Sequence, residues 1–155
     1  MRIFIFSFLL VILISPVYTA SIYSEDGDDT YLGKLGGNSL DPDSTSNPIG
    51  QYGSSISPKS INNPIGKYGS PISPNSVNNP LATDTPKLYG HDGEYLGKVS
   101  SNPLDPDSTS NPIGQYGSPI SPKSINNPIG QYGSSISPYS SKNPLATNPP
   151  KLYDD

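Results

Sequence analysis

The sequence predicts a tandem-repeat, turn-rich chain of the all-β or irregular class, with short β-hairpins, little other regular secondary structure and an N-terminal signal-peptide helix. Three observations carry that expectation. Residues 31–89 and 95–153 are two copies of one 59-residue stretch, identical at 47 positions and offset by 64 residues without a gap. Inside each copy runs a period of 16, clearest in NPIGQYGSSISPKSIN at 47–62, NPIGKYGSPISPNSVN at 63–78 and NPIGQYGSPISPKSIN at 111–126. The 19 Pro and 15 Gly in 155 residues interrupt helices and long strands, because Pro removes a backbone donor and biases its predecessor to extended geometry. A fixed period marks units built to sit beside copies of themselves.

The first element is the leader. Met1-Arg2 is a short basic start, and the run from Ile3 to Ile14 is apolar apart from Ser7. Pro16 and the small residues Thr19, Ala20 and Ser21 follow, the order of a secretory signal peptide. Cleavage after Ser21 places Thr19 and Ser21 at the two positions that favour small side chains. An apolar run of this length falls short of the roughly 20 residues of a membrane span. The organisation read from the sequence is therefore a signal peptide at 1–21, a first module with its leader segment at 22–94 and a second module at 95–155.

Each 16-residue unit carries two turns with a stated mechanism. Asn-Pro-Ile-Gly suits a type I turn: Asn bonds its own backbone, Pro presets φ at the second position and Gly is favoured at the fourth. Ser-Pro-x-Ser repeats the form with a hydroxyl. If units stack, Ile49, Tyr52, Ile56 and Ile61, then Ile65, Tyr68, Ile72 and Val77, are expected to form parallel ladders along a narrow core. The competing expectation is a largely disordered, polyproline-like chain. Lys87-Leu88-Tyr89 and the run from Tyr95 to Val99 flank an Asp92-Gly93 turn, which signals a hairpin. A partial echo stands at Ile22-Tyr23 and Tyr31-Leu32-Gly33-Lys34. Lys151-Leu152-Tyr153 resembles a third hairpin stopped at its turn.

Composition narrows the function classes. Beyond the leader there is no Phe, Trp, Cys or Arg, and Leu, Ile and Val total 22 residues, which rules out a large apolar core. Without Cys there is no disulfide staple, thiol nucleophile or thiolate metal ligand. Without Arg there is no bidentate clamp for phosphate or carboxylate. A net charge of −4 with scattered Lys does not suit nucleic acid or an anionic membrane surface.

Candidate chemistry is sparse. The single His, His91, falls in the hairpin turn with Asp92 beside it. A triad needs a base held rigidly against a nucleophile, and a turn in a core-poor chain is a poor mount. Asp41 and Asp43, repeated as Asp105 and Asp107, and the cluster Glu25, Asp26, Asp28 and Asp29 lack the alternating ligands of a Ca²⁺ loop. Asp-Pro-Asp-Ser reads as an Asx-type turn. No catalytic, metal or cofactor site is expected. Tyr52, Tyr68, Tyr116 and Tyr132 recur at one place in the unit. They are the candidate interaction surface, with cover for a thin core as the other reading.

The unit NPIGxYGSxISPxSIN, framed by KLY, DG, YLGK and NPLDPDS, resembles a group of small exported bacterial proteins with repeats of the form NPYGxYGSPYSPxSIN. The resemblance covers residues 22–155 and implies export from a bacterium. It brings no activity with it. This chain has Ile49, Ile56, Ile65 and Ile72 where that pattern has Tyr.

The function expected is that of an exported, non-enzymatic repeat protein with a structural or interaction role in the cell envelope or extracellular space. The alternative is a soluble periplasmic ligand-binding module with a tyrosine-lined surface. Self-association, an envelope glycan or another protein are the partners the repeat suits, without nucleic acid and without a membrane span once the leader is removed.

Overall fold

The computed structural model describes residues 29–154. The expected signal-peptide helix, the run Ile22-Tyr23 and the carboxylates Glu25, Asp26 and Asp28 lie outside them. Among the described residues there is no helix, and regular structure is confined to four short strands. These are β1 (Thr30–Lys34), β2 (Lys87–Tyr89), β3 (Tyr95–Lys98) and β4 (Lys151–Asp154), in one antiparallel sheet of order β1-β4-β2-β3.

The expected hairpin forms as β2 and β3, with Lys87 opposite Lys98 and Tyr89 opposite Tyr95. The Gly90 N–H donates to the Glu94 carbonyl at 2.8 Å, and Gly93 takes a φ of 80° inside the loop. The C-terminal run is not a stopped hairpin. β4 pairs with β1 on one side, Tyr31 opposite Tyr153, and with β2 on the other, Leu88 opposite Leu152. Each module thus pairs its first strand with the last strand of the other. An internal two-fold passes through the central β2 and β4 pair.

Strand alternation sorts the sheet into two faces. Leu32, Leu88, Leu96 and Leu152, one from each strand, are fully buried on one face. They meet Ile61, Tyr68, Val77 and Tyr132 from the repeats, and this cluster is the apolar core. Gly33 and Gly97 take φ of 96° and 94° where β1 and β3 bend, in contact with Tyr52 and Tyr116. Each edge strand is bridged at its last residue by the chain that follows it. Lys34 N–H donates to Asp43 O and Thr45 N–H to Lys34 O, at 2.8 and 2.9 Å, and Lys98 repeats this with Asp107 and Thr109.

The repeats are built from turns joined end to end. Through one unit the N–H groups of Gly50, Ser54, Ser57, Ser60 and Asn63 donate to the carbonyls of Asn47, Gly50, Ser54, Ser57 and Ser60. Five turns complete one 16-residue coil, and Pro48 and Pro58 occupy second positions whose missing N–H no turn needs. Coils are joined by side-chain amides. Asn62 Nδ2 donates to Gly53 O at 3.0 Å and to Thr45 O at 2.8 Å, 17 residues back, and Asn126 does the same with Gly117 and Thr109. Asn78 bridges to Gly69 and Ile61.

The interior of the coils is polar, which corrects the expectation of apolar ladders for Ile49, Ile56, Ile65 and Ile72, whereas Ile61, Tyr68 and Val77 do reach the core. Ser60, Ser76, Ser124 and Ser140 are fully buried, and Asn47, Asn63, Asn111 and Asn127 are nearly so. Asn63 illustrates why burial is tolerated: its Nδ2 donates to Ser57 O at 3.0 Å and its Oδ1 accepts from Ile65 N–H at 3.1 Å. Buried polar groups cost little when each has a partner. Ile49, Ile56, Ile65 and Ile72 are instead 92, 86, 91 and 86% exposed. Each occupies the third position of a turn, at an apex that points away from the coil.

The coils demand Gly after Tyr52, Tyr68, Tyr116 and Tyr132. A β-carbon at Gly53 would collide with the Asn47 carbonyl, and one at Gly117 with the Asn111 carbonyl. Gly53→Ala is expected to cost about 1–3 kcal/mol through overpacking. The exposed Gly37, with no neighbour within 3.4 Å of such a carbon, is the control and should stay within about 0.5 kcal/mol. Denaturant melts of the two variants check this.

Candidate interaction surface

Four tyrosines were singled out from sequence, and the structure divides them. Tyr68 and Tyr132 are buried. Tyr68 Oη donates to Asp154 Oδ2 at 2.8 Å, an oxygen also held by Lys67 Nζ at 2.7 Å. Tyr132 Oη donates to Glu94 Oε2 at 3.0 Å, and Lys123 Nζ stands 2.9 Å from Glu94 Oε1. Each cluster fastens a repeat to the sheet, one through the last described residue and the other through the hairpin. The Tyr68 phenol is pushed above its ordinary value by burial first and then by the Asp154 carboxylate.

Tyr52 and Tyr116 end a row of six rings on the second face of the sheet. The order is Tyr52, Tyr31, Tyr153, Tyr89, Tyr95, Tyr116, with neighbouring centroids 5.2 to 6.0 Å apart. Interplanar angles of 50 to 72° set three of the pairs edge to face and leave two tilted, so the rings pack on one another. Burial, then the nearby Asp43 and Asp107 carboxylates, raise the Tyr31 and Tyr95 phenols well above their usual range.

The remaining titratable candidates have structural partners. His91 stacks on Tyr139 at 4.2 Å, where the first module has Asn75. Asp41 Oδ1 accepts from Asp43 N–H at 2.9 Å, the Asx turn expected, and Asp105 repeats it with Asp107. Asp41 Oδ2 takes Lys34 Nζ at 3.1 Å, Asp43 lies 3.5 Å from the same ammonium, and Lys98 repeats the pair with Asp105. The carboxylates of this motif therefore hold the Lys of Tyr-Leu-Gly-Lys to the first coil. Among the described residues no His, Cys, Asp and Glu group of metal-binding spacing occurs.

What sequence reasoning missed is the aliphatic surface. Leu40, Ile49, Ile56, Ile65, Ile72 and Leu81 in the first module are 85% exposed or more, as are Leu104, Ile113, Ile120, Ile129, Ile136 and Leu145 in the second. They form two rows per module. Leu40, Ile56 and Ile72 follow one another at the 16-residue pitch, and Ile49, Ile65 and Leu81 run beside them. Leu40 and Ile49 share one shallow hollow with Pro48, and Ile72 and Leu81 share another with Pro71 and Pro74. A signal was present in the sequence. Ser and Pro exchange between modules at 39/103, 55/119 and 71/135, each directly before one of these apolar residues. Such exchange is easy at the second position of an exposed turn. No protein-family model, curated protein or solved structure matches this chain.

Two outcomes follow from this geometry. Ile56→Ala is expected to change stability by less than about 0.5 kcal/mol, whereas Ile61→Ala, in the core, should cost about 2–5 kcal/mol. Paired urea melts read the difference. For the Lys34 pair, burial pushes the Asp41 carboxyl up. The Asp43 N–H and the Lys34 ammonium outweigh it and hold the carboxyl below its ordinary 3.8. A depressed carboxyl stabilises fully above that ordinary value and loses its contribution as pH falls through the folded one. Acid melts should show this loss below about pH 4, and Asp41→Asn should remove that part of the pH dependence.

Proposed function

We propose that this chain is an exported, non-enzymatic repeat protein that serves as a structural or interaction component of the cell envelope or extracellular space. One observation carries the reading: twelve nearly fully exposed aliphatic side chains stand in ordered rows on a hydrogen-bonded scaffold. Soluble monomers rarely expose contiguous apolar patches beyond a few hundred Å². Here the exposure is repeated coil by coil, and the fold does not use it. Rows at fixed pitch multiply weak contacts into avidity.

Export is supported by the apolar run after Met1-Arg2 and the small residues at 19–21, and by the resemblance to exported repeat proteins. A tyrosine-lined ligand site has less support, since Tyr68 and Tyr132 are internal and the remaining rings cover one another.

Expression of the full chain in a bacterial host, with fractionation and N-terminal mass analysis, tests the reading. The expected product begins at Ile22 and partitions with the envelope or as assemblies. Changing Ile49, Ile56, Ile65 and Ile72 together with Ile113, Ile120, Ile129 and Ile136 to Ser should release it as a soluble monomer with an unchanged melting temperature. An uncleaved cytoplasmic product, or identical partition of both forms, would overturn it.

A further inference from the structure

We propose that the occupant of the aliphatic rows is a second copy of this chain, packed row against row. The proposal rests on the interaction reading above and specifies its partner. Area is the first reason. Burying an aliphatic side chain is worth about 1.5–3 kcal/mol at about 25 cal/mol per Å², which corresponds to roughly 60–120 Å² each. The six in one module then offer roughly 400–700 Å². The prolines beside them bring a module near the roughly 800 Å² per partner of a standard interface. Leu40, Ile49, Ile56, Ile65, Ile72 and Leu81 are thus enough for a specific contact with a like surface.

Pitch is the second reason. The rows rise by one 16-residue coil per step, and paired members lie nine residues apart in every coil of both modules. Leu40 and Ile49 border one hollow, and Ile72 and Leu81, 32 residues further on, border another. A partner must match that spacing over three coils to bury the whole surface. A second copy matches it by construction, and ridges of one seat between the rows of the other. Because the module occurs twice, each chain carries two such surfaces, so assembly can continue past a dimer.

Chemistry is the third reason, and it favours a protein copy over a bilayer. The hollows are lined by Pro, Ile, Leu, Ser, Thr and Asn, with no charged group, so like surfaces meet without repulsion. The rows contain no Trp or Tyr belt of the kind that holds proteins at a lipid interface. They also lack aromatic faces for stacking on a sugar ring.

The test uses sedimentation velocity on the purified protein in the form the cell delivers, from about 5 µM to about 500 µM, where affinities of this order are read. The expected result is a sedimentation coefficient that rises with concentration and rises further in sulfate, which strengthens apolar burial. Ile56→Ser with Ile65→Ser, and Ile120→Ser with Ile129→Ser, should shift the association midpoint at least tenfold while leaving the thermal melt in place. The chain has no Cys, so Ile56→Cys provides an independent readout. It should give disulfide-linked dimers on mild oxidation, and Asp92→Cys in the hairpin loop should not.

A monomer at all concentrations, or association that the Ser variants leave untouched, would overturn the proposal. Vesicles of phosphatidylethanolamine and phosphatidylglycerol separate that failure from failure of the interaction reading. A monomer that binds the vesicles through these Ile residues overturns the second copy as occupant and leaves the interaction reading standing. A monomer that binds nothing removes both.

Discussion

The side-chain amides of Asn62, Asn78 and Asn126 are the bonds on which the rest of the structure depends. A chain with Pro at every few positions cannot form a ladder of backbone hydrogen bonds, and turns leave carbonyls without partners. Each of these amides donates to one carbonyl in its own coil and to another in the coil before. That satisfies the main chain and sets coil spacing at once. The Gly after Tyr52 and Tyr116 follows from the same geometry, because the backbone at Gly53 and Gly117 passes close to a carbonyl of the preceding turn. The buried Ser and Asn residues follow too, since the interior they fill is made of peptide groups.

A polar interior has a consequence for the apolar residues. In an ordinary domain the hydrophobic effect gathers aliphatic side chains inside. Here the coil has no apolar interior to receive Ile49 or Ile65, and turn geometry leaves them at the apex. The true apolar core is small and lies where the repeats meet the sheet, around four leucines contributed one per strand. Only apolar residues outside the turn apices, such as Ile61 and Val77, reach it.

The sheet acts as a clasp between two copies of one module. Because β1 pairs with β4 and β3 with β2, neither module completes its own sheet, and the central pair of leucines lies on the internal two-fold. The two halves are fastened by equivalent tyrosines to non-equivalent carboxylates: Asp154 at the end of the last strand for Tyr68, and Glu94 in the hairpin for Tyr132. Duplication fixed the position of the phenol, and the chain's two different exits from the sheet supplied different acids.

The turns, the absence of long helices or strands, the hairpin about Asp92-Gly93 and the Asx turn at Asp41 were legible in the sequence. Each is local: Pro fixes one dihedral, Asn and Asp bond backbone two residues away, and Gly relieves one close approach. The direction of the side chains was not legible. Ile56 and Ile61 are chemically alike and five residues apart, yet one lies at an apex in solvent and the other against the sheet. Tyr52 and Tyr68 hold the same place in successive units. One joins the ring row and the other is buried on a carboxylate, because one packs on the ring face of the sheet and the other in the leucine core. Local sequence determined the turn, while tertiary stacking decided what each corner faces, since only the neighbouring coil and the sheet say which side is solvent.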